Sequence, residues 1–148
     1  MSHLDQVALV RDHVTREEYS AAVALGRDEL VGGRDSSELL VLMATASLLG
    51  DGNSGSLGEA RQWLERAVNG DPRSVDASLE LAHLLDAVED EGQLAGQLFE
   101  SAAAQALGYL EDALAGLTST GNAAPMIRQR LTALLQSVFE TDASSSAP

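Results

Sequence analysis

The sequence predicts an all-α chain, an array of antiparallel helix pairs, on the strength of three observations. Apolar residues recur at helical spacing along almost the whole length. Turn-forming residues interrupt them at regular intervals. The composition also suits packed helices: of 148 residues 45% are hydrophobic, chiefly Leu, Ala and Val, and only 3% are aromatic. A β-sandwich draws instead on β-branched and aromatic side chains. A chain of this length can bury a core as one domain. That domain is expected over residues 1–140, with a disordered tail at 141–148, where TDASSSAP has nothing apolar to bury.

The first helix is expected after Ser2, carrying Leu4, Val7, Ala8, Val10 and Val14. Thr15 followed by Glu18 reads as a capping box opening a second helix, which holds Tyr19, Ala22, Val23, Leu25 and Leu30 and stops at Gly32-Gly33. Asp35, Ser36 or Ser37 caps a third, ELLVLMATASLL, which is apolar on nearly every side and so buried or interfacial. Gly50 to Gly58 is the richest turn-forming segment and reads as a loop. Next comes the clearest pair. Leu57, Ala60, Trp63, Leu64, Ala67 and Val68 form one stripe of a helix. Pro72 lacks an amide hydrogen and its ring restricts Asp71, so that helix ends near Asn69 or Gly70. Ser74 or Asp76 caps the following one, with Leu79, Leu81, Ala82, Leu84, Leu85 and Val88.

Glu89-Asp90-Glu91-Gly92 makes an acidic turn before Leu94, Leu98, Phe99, Ala102 and Ala103. The period continues through Leu107, Leu110, Leu114 and Leu117, so 92–118 is one long helix or two, with a break at Gly108 preferred. After a loop at Thr118 to Pro125, Pro125 sits at the first position of a final helix bearing Ile127, Leu131, Leu134, Leu135, Val138 and Phe139.

In EARQWLERAVNGDP, the spacing of Ala60, Leu64, Ala67 and Pro72 resembles the second helix of a tetratricopeptide repeat. Leu40, Met43, Ala44 and Ala46 match its first helix; Leu81, Ala82 and Leu85, then Ala95, Phe99 and Ala102, match the next unit. Tyr19 and Ala22 match in the first unit, but Gly26 stands where a large residue is usual. The equivalent Ala22, Ala60 and Ala95 recur after 38 and 35 residues, against about 34 for that family. The excess falls in the Gly50–Gly58 loop, where extra length costs little. No unit has the usual first-helix aromatic, and the Sel1-like branch, with longer repeats, stays open; so does a bundle of accidental periodicity. The resemblance implies a right-handed superhelical array of three units over roughly residues 3–106, with a weaker C-terminal pair.

Composition argues against several functions. There is no Cys, hence no disulfide or thiolate metal site. All nine basic residues are Arg, which removes Schiff-base and P-loop lysine chemistry; we read this as coding bias. A net charge of −14 opposes nucleic acid and anionic membranes. No apolar run approaches a membrane span, and MSHLDQVALVRDHV carries charges without a cleavage pattern, so a cytoplasmic location is expected. His83 shares a helix face with Asp76 and Asp86, but nothing in the spacing of His3, His13 and His83 suggests a metal or acid–base site. Gly50-Asp51-Gly52-Asn53 lacks the alternating ligands of a calcium loop. Glu17-Glu18 reads as a solvated turn. No catalytic residue, metal or cofactor is expected.

A binding surface remains. The resemblance implies that the first helix of each unit lines a concave groove, which places Leu4, Val7 and Arg11, then Glu38, Val41, Thr45, Leu48 and Leu49, then Asp76, Leu79, His83, Asp86 and Ala87 there. The partner-binding residues expected are Val41, Thr45, Leu48, Asp76, Leu79, His83 and Asp86. They would form an apolar floor edged by carboxylates, suited to an amphipathic or extended protein segment bearing Arg or Lys. Residues 72 to 108 hold one Arg against seven acids, a polarity that solubility alone also explains. Trp63 and Phe99 are expected in the core. The apolar helix Glu38 to Leu49 offers a route to self-association. Two roles fit: a non-enzymatic adaptor, or a dedicated client-masking protein such as a secretion chaperone or toxin immunity protein. In size and charge the chain is similar to bacterial type III secretion translocator chaperones.

Overall fold

Four serines set the starts of four helices. The hydroxyls of Ser2, Ser36, Ser56 and Ser74 accept hydrogen bonds from the backbone N–H three residues on and so cap α1 (His3–Thr15), α3 (Ser37–Leu49), α4 (Leu57–Gly70) and α5 (Val75–Ala87). At α1 and α4 the box is closed, since Asp5 and Glu59 accept in return from the amides of Ser2 and Ser56. Those amides hold both carboxyls below their ordinary range, with the Arg27 guanidinium adding to the effect at Glu59. The remaining helices are α2 (Tyr19–Val31), α6 (Gly92–Ser119) and α7 (Pro125–Ser145). This computed structural model describes residues 2–52, 54–88, 91–121 and 124–145, with side chains as far as Glu140. Among the described residues the chain is all-α, with seven helices and no strand.

Several expected boundaries move. The Thr15–Glu18 capping box does not form: Thr15 ends α1 and its hydroxyl donates to the Arg11 carbonyl at 2.9 Å. Too few residues then remain before Tyr19, Glu17 takes a left-handed φ of 61°, and Glu18 precedes α2 without a side-chain cap. The carboxylate of Glu18 is held by His13 at 2.6 Å instead. Helix α4 takes Leu57 and Gly58 into its first turn, so the loop closes at Ser56. No break occurs at Gly108; α6 runs continuously from Gly92 to Ser119. One glycine costs only about 1 kcal/mol against alanine, too little to end a helix of good formers. The expected tail begins inside α7, which continues through Ser145 because no Gly or Pro stops it; residues 146–148, like Glu89 and Asp90 of the acidic turn, lie outside the described residues.

The chain divides into two compact units, Met1–Leu107 and Gly108–Pro148. In the first, α3 is central and packs on α1, α2, α4 and α5, while α1 packs on α2 and α4 on α5. Leu39, Leu40, Met43, Ala44 and Ala46 of α3 are buried in that core. The alanines of the repeat pattern, Ala22, Ala44, Ala60, Ala67, Ala82, Ala95 and Ala102, are all buried. Gly26 is explained by its neighbour: a Cβ there would lie 2.6 Å from the Met43 side chain, so α3 fills the space that a large residue usually takes. Gly33, at φ 70°, turns the chain out of α2. Trp63 is 7% exposed, with the Arg27 guanidinium 5.8 Å from its ring centroid. Arg27 also donates to Glu59, and Arg61 donates to both Glu65 and Glu91, tying α2 to α4 and α4 to the start of α6.

The second unit comprises the end of α6 and α7. None of its described side chains is buried; Leu110, Leu114, Leu117 and Leu131 are half-buried.

Candidate functional site

Side-chain direction on α1, α3 and α5 follows from the helical period. Residues three, four and seven apart stack on one face. Leu4, Ala8 and Arg11 form such a face on α1; Glu38, Val41, Thr45 and Leu48 form one on α3; Asp76, Leu79, His83 and Asp86 form one on α5. All are exposed or half-buried. Since α3 packs on both α1 and α5, these odd-numbered helices are neighbours. Val7, expected in the groove, belongs to the core at 3% exposure, because it lies about 60° round α1 from Leu4, toward α2 and α3.

Where α1, α3 and the α4–α5 turn meet, a cleft of about 380 Å³ opens. Val41 and Leu42 give it apolar surface, and Glu38, Asp71 and Asp76 give it carboxylates. Arg11 forms an ion pair with Glu38, so part of the acidity is already answered within the chain. The Asp71 carboxylate accepts from the Arg73 amide at 3.2 Å. Asp76 has no ion pair among the described residues. The Ser37 hydroxyl, also at the cleft, is buried and has no hydrogen-bond partner among the described residues.

Of the expected contact residues, Val41 and Asp76 therefore share one cleft. Thr45 and Leu48 continue the same face of α3, half-buried. Leu79 is half-buried on α5. His83 turns elsewhere: its ring meets Phe99 of α6 edge-on, with centroids 5.0 Å apart. Asp86 lies at the opposite end of α5 from Asp76, beside Gly92 at the start of α6. Ten residues of helix separate the two aspartates by roughly 15 Å, so they cannot grip one small group together. Phe99 is half-buried against the core, not fully inside it.

Sequence reasoning missed Ser37, Leu42, Asp71 and Ser74 as lining residues. Leu42 and Ser37 neighbour Val41 on the α3 wheel and were within reach of the period. Asp71 and Ser74 belong to a turn, where periodicity carries no signal. It also missed a hollow of about 510 Å³ beside the Glu17 turn, where Glu17, Glu18 and Asp51 edge Tyr19 and Leu49. Glu17 and Glu18 are thus part of a concave surface. Helix α3 leaves little for self-association: Leu39, Leu40, Met43, Ala44 and Ala46 lie in the core, and Leu49 is its one large exposed apolar side chain.

Among the described residues no group of three or more His, Asp or Glu side chains is arranged to hold a metal ion. No described helix is long and apolar enough to cross a membrane. The chain matches no protein-family profile, no curated protein and no solved structure.

Proposed function

We propose that residues 3–106 form a tetratricopeptide-like array, a right-handed superhelix, whose odd-numbered helices hold a segment of a partner protein. The observation that carries the reading is the cleft at α1, α3 and the α4–α5 turn, where side chains from three successive units meet. Support for the repeat comes from the contacts of α1 with α3 and α3 with α5, and from the burial of the repeat alanines. The chain acts by binding and not by catalysis.

In this reading Val41 and Leu42 receive an apolar side chain, and Asp76 receives an Arg or Lys. The unpartnered Ser37 hydroxyl takes a backbone carbonyl or amide of the bound segment. Thr45, Leu48 and Leu79 extend the contact along the face. An adaptor and a client-masking protein use this surface alike; they differ in whether one protein or several are held.

A basic, leucine-rich peptide serves as a probe, followed by amide chemical-shift mapping and calorimetry. Shifts are expected at Ser37, Val41, Leu42 and Asp76, with affinity falling as salt rises. Asp76→Arg and Val41→Asp should each weaken binding at least about tenfold. Asp86→Arg should do less, being at the far end of α5. Shifts confined to Glu17, Glu18 and Asp51 would move the site to the other hollow, and equal losses for every charge reversal would reduce the effect to net charge.

A further inference from the structure

The end of α6 and α7 leave unused what the rest of the chain buries. Ile127, Leu134, Leu135, Val138 and Phe139 are 43%, 60%, 56%, 51% and 68% exposed. At about 100° per residue they fall with Leu131 in an arc of roughly 140°, an apolar face that among residues 127–139 only Arg128, near its edge, interrupts. Gln129, Gln136 and Glu140 lie on the opposite side of the helix.

We propose that this face of α7 is where two copies of the chain associate, antiparallel and related by a two-fold axis. Three features commit it to a second copy. The apolar seam Ile127, Leu131, Leu134, Val138 has spacings of four, three and four, which read the same in either direction. Turned antiparallel, Ile127 of one copy meets Val138 of the other, and Leu131 meets Leu134, so no layer lacks an apolar counterpart. An isologous contact needs this self-complementarity. The second feature is charge. Two chains of net charge −14 repel across most of their surfaces, but residues 113–139 contain no acid and two exposed Arg, Arg128 and Arg130. Copies can approach here without setting carboxylate against carboxylate. The third is area. The five exposed side chains offer on the order of 500 Å² per copy, about 1,000 Å² for the pair, which reaches the threshold of a specific interface. A contact at that threshold stands at the small, reversible end of specific interfaces.

Sedimentation equilibrium of the full chain from about 1 to 200 µM tests this. A mass rising toward twice 15.5 kDa is expected. Leu134→Asp puts a carboxylate into each side of the seam and should weaken association at least about 100-fold. Gln136→Asp adds the same charge to the opposite face and should leave the dissociation constant within about threefold. Trp63, the only tryptophan, sits in the first unit and reports that its fold is unchanged in each variant. Leu134→Ala with Val138→Ala keeps helix propensity while removing the seam. It should also dissociate the pair, with far-UV circular dichroism showing α7 intact. A chain that stays at 15.5 kDa throughout overturns the proposal, as does a dimer indifferent to Leu134→Asp or equally weakened by Gln136→Asp.

Discussion

Trp63 and Phe139 are both large aromatic side chains on amphipathic helices, each with Leu or Val beside it. Trp63 is 7% exposed and Phe139 is 68% exposed. The difference lies in what surrounds their helices. Around Trp63, α3 and α5 supply packed faces, and α4 is held at its start by the Ser56 box and tied sideways by Arg27 and Arg61. In the second unit the leucines of the two helical stretches are at most half-buried, and no described side chain is shut off from water. The same apolar period thus yields a core where several helices converge and an open face where they do not. A helical stripe reveals that a surface wants cover; it does not reveal whether the chain itself provides it.

The largest expected effect sharpens this contrast. Trp63→Ala should cost about 3–5 kcal/mol in urea unfolding, a large share of a typical domain's stability. Phe139→Ala, at concentrations where the chain is monomeric, should change stability by less than about 0.5 kcal/mol. Comparable losses would erase the distinction between the two units.

Next in size is the seam between α2 and α3. Gly26→Leu should destabilise by about 1–3 kcal/mol, because the new side chain meets Met43 in a space with no room. In a Met43→Ala background that loss should shrink, and a double-mutant cycle measures the coupling. Additive losses would mean that the two side chains do not compete for one space.

The capping boxes give a smaller, pH-dependent effect. Glu59 is held below its ordinary value of 4.5, chiefly by the Ser56 amide and further by Arg27. Its stabilisation is therefore present at neutral pH and is lost as pH falls below 4.5 through the lowered folded-state value. Asp5 behaves alike below 3.8, under the hold of the Ser2 amide and hydroxyl. Thermal midpoints of the native chain and Glu59→Gln should differ at pH 7 and converge in acid, once the carboxyl is protonated in the folded state as well. A constant gap across that range would show that the carboxylate charge is not what matters. Smallest is Glu17→Gly, which relieves a left-handed residue and should gain about 1 kcal/mol in the same measurement.

Much of the architecture was legible because its signals are local. Ser2, Ser36 and Ser74 announce helix starts by their own chemistry, and Pro72 and Gly32 announce ends, whereas the Ser56 cap was hidden in the glycine-rich run read as a loop. The failures were also local in form but decided elsewhere. Thr15 and Glu18 have capping-box spacing, yet α1 absorbs Thr15 and His13 takes Glu18. Gly108 resembles a break, yet its neighbours outweigh one glycine. Gly26 departs from the repeat pattern for a reason that only Met43, seventeen residues on, can show. For the candidate site the face of α3 was readable from period, whereas the position of His83 against Phe99 depends on how α6 returns. Asp71 and Ser74 enter the cleft from a turn, where no period exists to follow.

Amide hydrogen exchange of the full chain, read residue by residue at two protein concentrations, tests the contrast between the units most directly. The amides of α3 and α4 should exchange only through global opening, at the same rate at both concentrations. Those of α7 should be protected weakly when the chain is dilute and more strongly when it is concentrated. Protection of α7 equal to that of α3 in the dilute sample would contradict the account, for it would mean that residues 108–145 have a core of their own.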